Sequence, residues 1–398
     1  MALTTSGEAA TGADFVLAMA ELDSEGQAAF KKLQETVSQM RRQKVGFVAL
    51  EGASPDFTNT QLQATWNNMR LGHKYTRSKS DVRAFVLSAD LFTPNIAKSG
   101  ATGSTFKDHV VPNKDAMAHV MDFIVAKRQK DDITLIFDGR SKPCRRVLDQ
   151  HEDKLAQTQY VPVEFWIVYA VPAKTQEPRV PGRASTYCAN NTETFLGFLG
   201  KKTHVQRVVP RSDFNACGES STASTTYTGV PVRRFSELPR MDVTSKGAIV
   251  GAAAAGAVKG RRVQHSMEKH GAPLSLFETK PLNFWQRLIE HHRITHIIDF
   301  SPGSGALAVA ATGAVEYEGV AATTAHHTFL DSVVDKCTLY QAGKTKDFVR
   351  KLGGDGDQAD LCEKYFGGGM MHQARRMMEP LADDQQSDGT SSDDADDA

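Results

Sequence analysis

The sequence predicts a doubly wound α/β protein, and three stretches carry that expectation. His296 to Val309 reads HIIDFSPGSGALAV: Ile297 and Ile298 run into Asp299, a glycine turn follows at Gly303 and Gly305, and small helix formers continue from Ala306 to Ala311. Farther upstream, the apolar run Ile133–Phe137, the polar helical stretch Pro143–Leu155 and the apolar run Val163–Val171 give the rhythm strand, helix, strand that accompanies a parallel sheet. Ahead of them, Met117, Val120, Met121, Ile124 and Val125 recur at helical spacing.

The remaining elements follow in chain order. Phe30, Leu33, Val37 and Met40 mark one face of a helix, and Val45–Leu50 reads as a short strand. A second helix starts near Thr58 and buries Leu62, Trp66 and Met69. The basic run Arg70–Arg83, with Lys74, Arg77 and Lys79, reads either as a phosphate contact or as a solvated loop, and the loop is the more common case. A strand at Ala84–Ser88 precedes a Gly/Ser-rich loop, and Tyr187–Gly200 supplies one strand or a hairpin. The pairs His291-His292 and His326-His327 have no acid at ligand spacing and read as surface histidines. The aspartates after Lys351 lack calcium-loop spacing and read as a turn.

At 398 residues the chain has room for two domains or for one α/β domain with additions. The expected division is an α/β N-terminal extension over 1–114, a main domain over 115–375 and an acidic tail over 376–398. A formal charge of zero hides that tail, which carries seven Asp and no basic residue from Asp383 onward, so the body is basic. Such a tail cannot bury apolar surface and is expected to be disordered. Five scattered cysteines without a CxxC pair argue against a disulfide framework or a zinc site, and no metal is expected. Without a long apolar run or a signal-like start, the protein is expected to be soluble and intracellular, with no membrane partner; nucleus and cytoplasm are not distinguished.

Two features bear on function. In an α/β sheet a turn such as Gly303–Gly305 lies at the carboxyl edge, where backbone and helix N–H groups are open to a ligand, and a nucleotide-like cofactor is the natural occupant. An ordinary βα turn with two glycines is the other reading. Lys201–His270 carries twelve Lys or Arg against five Asp or Glu, concentrated at Arg233, Arg234, Lys259, Arg261 and Arg262. That footprint suits DNA or RNA, while a basic loop that keeps the protein in solution suits it equally.

The combination TKPLNFWQRLIEHHRITHIIDFSPGSGALAVAA, from Thr279, is more specific than its parts. It resembles the cofactor-binding half of the permuted, β-class amino-group DNA and RNA methyltransferases. The resemblance implies a Rossmann-like methyltransferase sheet that binds S-adenosylmethionine through Lys280, Asp299, Phe300, Ser301, Pro302, Gly303, Ser304 and Gly305. It puts the catalytic turn at Asp138, Arg140 and Ser141, with Val163–Val171 as the next strand of the sheet. Asn191–Leu196 resembles a further motif, and the basic stretch 201–275 takes the place of a target-recognition insertion.

The chain departs from that pattern twice. Asp138 can polarise an acceptor N–H, but Gly139 and Arg140 stand where the family has prolines, and Ser141 where it has a stacking aromatic. An extruded base then stacks elsewhere, with Tyr169 and Tyr187 as candidates. The strand Tyr317–Ala321 ends in Ala321-Ala322 where an acid is expected for the ribose hydroxyls, with His326 a weak substitute. Two functions follow. One is methyl transfer to the exocyclic amino group of adenine or cytosine in nucleic acid. The other is a pseudoenzyme of the same fold that binds nucleic acid or serves as a scaffold in a homo- or heterodimer.

Overall fold

The structure is a computed structural model. It describes residues 24–52, 56–88, 114–137, 142–156, 160–170, 192–199, four short strands between 216 and 250, and 280, 282–303 and 305–364. The acidic tail, the methionine-rich stretch after Gly369 and the basic clusters of 201–275 lie outside those residues.

Eleven strands are described. Nine form one mixed sheet in the order β1 (Val45–Ala49), β11 (Glu316–Ala321), β10 (His296–Asp299), β2 (Arg83–Ser88), β3 (Ile133–Phe137), β5 (Thr192–Leu199), β4 (Val161–Ala170), β7 (Thr226–Pro231) and β6 (Ala216–Cys217). β8 (Met241–Asp242) and β9 (Ile249–Val250) pair separately. The first five strands of that order are mutually parallel, while β5 runs antiparallel between β3 and β4. The strand at 161–170 is therefore not the neighbour of β3, as the sequence had suggested: β5 comes between them, formed by the described residues 192–199 of the Tyr187–Gly200 stretch.

Strand alternation divides the core in two. Ala84 and Val86 of β2 and Ile297 of β10 face one layer, together with α5 (Leu282–His292), α6 (Ala306–Ala311) and α7 (Thr324–Lys344). Phe85, Leu87 and Ile298 face the other, with α2 (Asn59–Asn68), α3 (Lys114–Lys127) and α4 (Lys142–Ala156). Helices on both faces explain the nearly continuous apolar runs: a parallel strand covered twice has no solvent side. A third cluster packs α1 (Ser24–Lys44) through Phe30, Leu33 and Val37 against α7, α8 (Lys346–Leu352) and α9 (Gly356–Cys362). Thr58 caps α2 in a reciprocal box with Gln61, and Asp355 caps α9 with Gln358, so the aspartate-rich stretch is a helix-to-helix turn.

The described residues before Lys114 belong to this sheet and its layers. They contribute its edge strand β1 and its inner strand β2, which lies directly between β10 and β3. Of their basic run, Lys74 and Lys79 are exposed as a solvated loop would have them, while Arg77 and Arg83 turn inward. Arg83 and Arg77 converge on the fully buried Asp132 at 2.7 and 3.0 Å, and Arg70 pairs with Glu316. Arg83 also lies over the rings of Tyr75 and Phe85.

Candidate active site

The direction of chain travel diverges between β10 and β2. From β10 the chain crosses through α6 to β11, whereas β2 leads through α3 to β3 on the opposite side. The crevice at the carboxyl ends of β10 and β2 is the topological switch point, where open α/β sheets take their ligands.

The glycine turn sits at that crevice and is held by a set of short contacts. Asp299, buried at the end of β10, accepts from the Ser301 N–H (2.7 Å) and hydroxyl (3.2 Å), and from the Tyr317 hydroxyl of β11 (2.9 Å). The Ser301 oxygen accepts in turn from the N–H of Ser88, the last residue of β2, at 2.7 Å. The turn is thereby fastened to both strands that flank β10. The Gly305 N–H donates to the Pro302 carbonyl at 2.8 Å, with Gly303 at φ 55° and Gly305 at φ 89°. Both lie in the left-handed region, where a side chain strains the backbone. Gly305 has a packing reason as well, since a Cβ there would approach Leu330 Cδ2 of α7 to 3.3 Å.

His326 completes the turn from the other side. The Ala322 N–H donates to its Nδ1 (3.3 Å), so the ring proton resides on Nε2, which donates to the Gly303 carbonyl at 2.6 Å. The ring is fully buried, and burial pushes its pKa down to about 4, with the Gly303 contact opposing that shift. It is neutral at physiological pH and clasps the loop after β10 to the loop after β11. Three of the four paired histidines are thus not surface groups: His326 is fully buried, His291 and His292 are buried and stacked with centroids 4.7 Å apart, and His327, partly exposed, has Nε2 3.0 Å from the Phe47 carbonyl of β1.

The acids of β11 are engaged elsewhere. Glu318 accepts from the backbone N–H groups of Arg70 (2.8 Å) and Leu71 (2.5 Å), and burial raises its pKa against those bonds. Glu316 pairs with Arg70.

The residues expected at a cofactor site fall into two groups. Asp299, Ser301, Pro302, Gly303 and Gly305 come together at the end of β10. Phe300 turns away into the core, its ring parallel to that of Phe85 at 6.4 Å. Lys280 is fully buried with its ammonium 4.9 Å from the Phe137 ring and 5.9 Å from that of Trp285, at the end of β3. It belongs with β3, two strands from the glycine turn. Ser304, the expected catalytic residues Asp138, Arg140 and Ser141, and the basic set Arg233, Arg234, Lys259, Arg261 and Arg262 lie outside the described residues. Sequence reasoning missed the fastening of β2 to Ser301 and the clasp by His326. The one local signal for His326 is its place three residues after Thr323, whose hydroxyl accepts from the His326 N–H at 3.1 Å as α7 begins.

No family model and no curated protein matches this sequence. Among solved structures, the chain is similar to M1.HpyAVI in complex with SAM, at 13% identity and a TM-score of 0.35, covering 72% of this chain and 98% of that one. It is also similar to M1.HpyAVI without that ligand, at 12% identity and a TM-score of 0.33, over 72% and 97% of the two chains. Among the described residues, no helix is long and apolar enough to cross a membrane.

Proposed function

We propose that this chain is an S-adenosylmethionine-dependent methyltransferase acting on an exocyclic amino group of a nucleic-acid base. The observation that carries the reading is the glycine turn at the crevice between β10 and β2, fastened to β2 through Ser301 and Ser88. Asp299 fits this role by holding the turn's shape through Ser301 and Tyr317. When bound, the cofactor supplies an activated methyl group. The chain's part is to orient the acceptor amine and accept a hydrogen bond from it.

Strand order bears on which acid does so. Asp138 follows β3, which is separated from β10 by β2, a displacement of roughly 10 Å at ordinary strand spacing. Asp90 follows Ser88 by two residues, a reach of at most about 7 Å from the bond to Ser301. That favours Asp90 beside Asp138 as the group that polarises the amine. Binding of S-adenosylmethionine to wild type and to Gly303→Val, followed by calorimetry, tests the cofactor site: micromolar binding abolished by valine is expected. Transfer of labelled methyl to DNA or RNA then separates the acids, with Asp90→Ala losing turnover and Asp138→Ala retaining more of it. No binding at millimolar ligand overturns the reading.

The second reading is a catalytically inactive protein of the same fold that binds nucleic acid. The observation favouring it is the commitment of His326, with alanines at the end of β11. It expects Asp90→Ala and Asp138→Ala to be silent and neutralisation of Arg261 and Arg262 to reduce both nucleic-acid affinity and its salt slope.

A further inference from the structure

α/β sites that hold a nucleoside usually read its sugar with an Asp or Glu at the end of the strand after the glycine turn, about 20 residues on. Here that strand is β11, and the residues beyond it are Ala322, Thr323 and Thr324. The chain has no Asp or Glu from Gly319 to Leu330. The acids that β11 does carry are held on its other reaches, Glu316 by Arg70 and Glu318 by the N–H groups of Arg70 and Leu71.

The gap between the two loops is filled instead by the imidazole of His326. Both ring nitrogens are spent, Nδ1 on the Ala322 N–H and Nε2 on the Gly303 carbonyl. The ring is fully buried and lies nearly parallel to that of Phe329, centroids 6.4 Å apart. A sugar hydroxyl arriving beside β11 meets a methyl group at Ala322, a histidine with no nitrogen to offer and the neutral hydroxyls of Thr323 and Thr324, but no carboxylate to take both hydroxyls of a diol.

From this we infer that the site takes its nucleoside ligand without reading the sugar diol, so that ribose and 2′-deoxyribose forms are accepted alike. Recognition then falls on the base and on the amino-acid end of the ligand. The inference rests on the reading of the glycine turn as a nucleoside site.

Calorimetry with S-adenosylhomocysteine and its 2′-deoxyadenosyl counterpart, on the full chain, tests it without requiring activity. Wild type is expected to bind the two within about threefold of each other. Ala322→Asp, at a half-buried position next to the strand end, is expected to favour the ribose form by about tenfold or more, the range of a hydrogen bond to a charged acceptor. A tenfold preference for ribose in wild type overturns the inference and leaves the cofactor site standing. An unchanged ratio in a folded Ala322→Asp protein also overturns it, because the sugar then lies elsewhere. Failure of either ligand to bind wild type at millimolar concentration removes the nucleoside reading itself, and the inference with it.

Discussion

Replacing His326 with glutamine tests the clasp through its effect on stability against pH. In the folded chain the ring has a pKa of about 4 because burial disfavours the imidazolium, whereas an unfolded histidine titrates near 6.5. The unfolded state therefore binds a proton that the native state does not, and stability falls as pH falls from 6.5 toward 4. Above pH 6.5 the contribution is fully present. At pH 5 the unfolded ring is almost wholly protonated and the native ring is not, which costs about 2 kcal/mol relative to pH 7.5 at 1.36 kcal/mol per unit. Glutamine offers an acceptor and a donor but does not titrate, so the variant lacks this part of the pH dependence. Urea unfolding at the two pH values should show wild type losing about 2 kcal/mol more than His326→Gln, with contributions from other groups cancelling in the difference. Equal losses in the two chains would refute the reasoning, because His326 would then be accessible to a proton in the folded state.

The other predictions concern the packing that supports the turn. Asp132→Asn leaves Arg83 buried without its counter-charge and should cost about 3–5 kcal/mol, read as a fall in the calorimetric melting temperature that 1 M salt does not reproduce in wild type. A loss under about 1 kcal/mol would show that the Arg83–Asp132 pair is not the anchor described here. Gly305→Ala and Gly353→Ala both force a side chain into left-handed backbone, at φ 89° and 98°, but only Gly305 has a neighbour, Leu330 Cδ2, within 3.4 Å of the added Cβ. Both should lose about 1 kcal/mol from backbone strain, and Gly305→Ala should lose more; equal losses would remove the packing role assigned to Gly305.

Much of the local structure was legible because it is local. The span of β3 and the spacing of Phe30, Leu33 and Val37 follow from side chains within a few residues of one another. Thr58 as the start of α2 follows from its reciprocal bonds with Gln61. Sheet order was not legible, since pairing is decided by which strands cover each other's edges, and β10 pairs with a strand more than 200 residues earlier. The misread polar residues share one cause: their partners are remote. The Arg70 guanidinium meets Glu316 across 246 positions, Arg83 meets Asp132 across 49, and His326 meets a backbone carbonyl 23 residues before it. A polar side chain is buried only where such a partner compensates its desolvation, and sequence shows the side chain without showing the partner.

The order β11, β10, β2 also constrains how the crevice can work. Its two walls come from opposite parts of the chain: the glycine turn from the last third, and the end of β2 from the first. They meet through the bond from the Ser88 N–H to Ser301 Oγ and that from the Phe300 N–H to the Val86 carbonyl, while the same Ser301 hydroxyl donates to Asp299 and Asp299 accepts from Tyr317 on β11. A ligand that displaced Ser301 would have to release β2 and Asp299 together. The turn is therefore held from both sides, by β2 through Ser301 and by β11 through Asp299 and Tyr317. Under the proposed function, the alanines and His326 at the end of β11 bear on what that turn would hold.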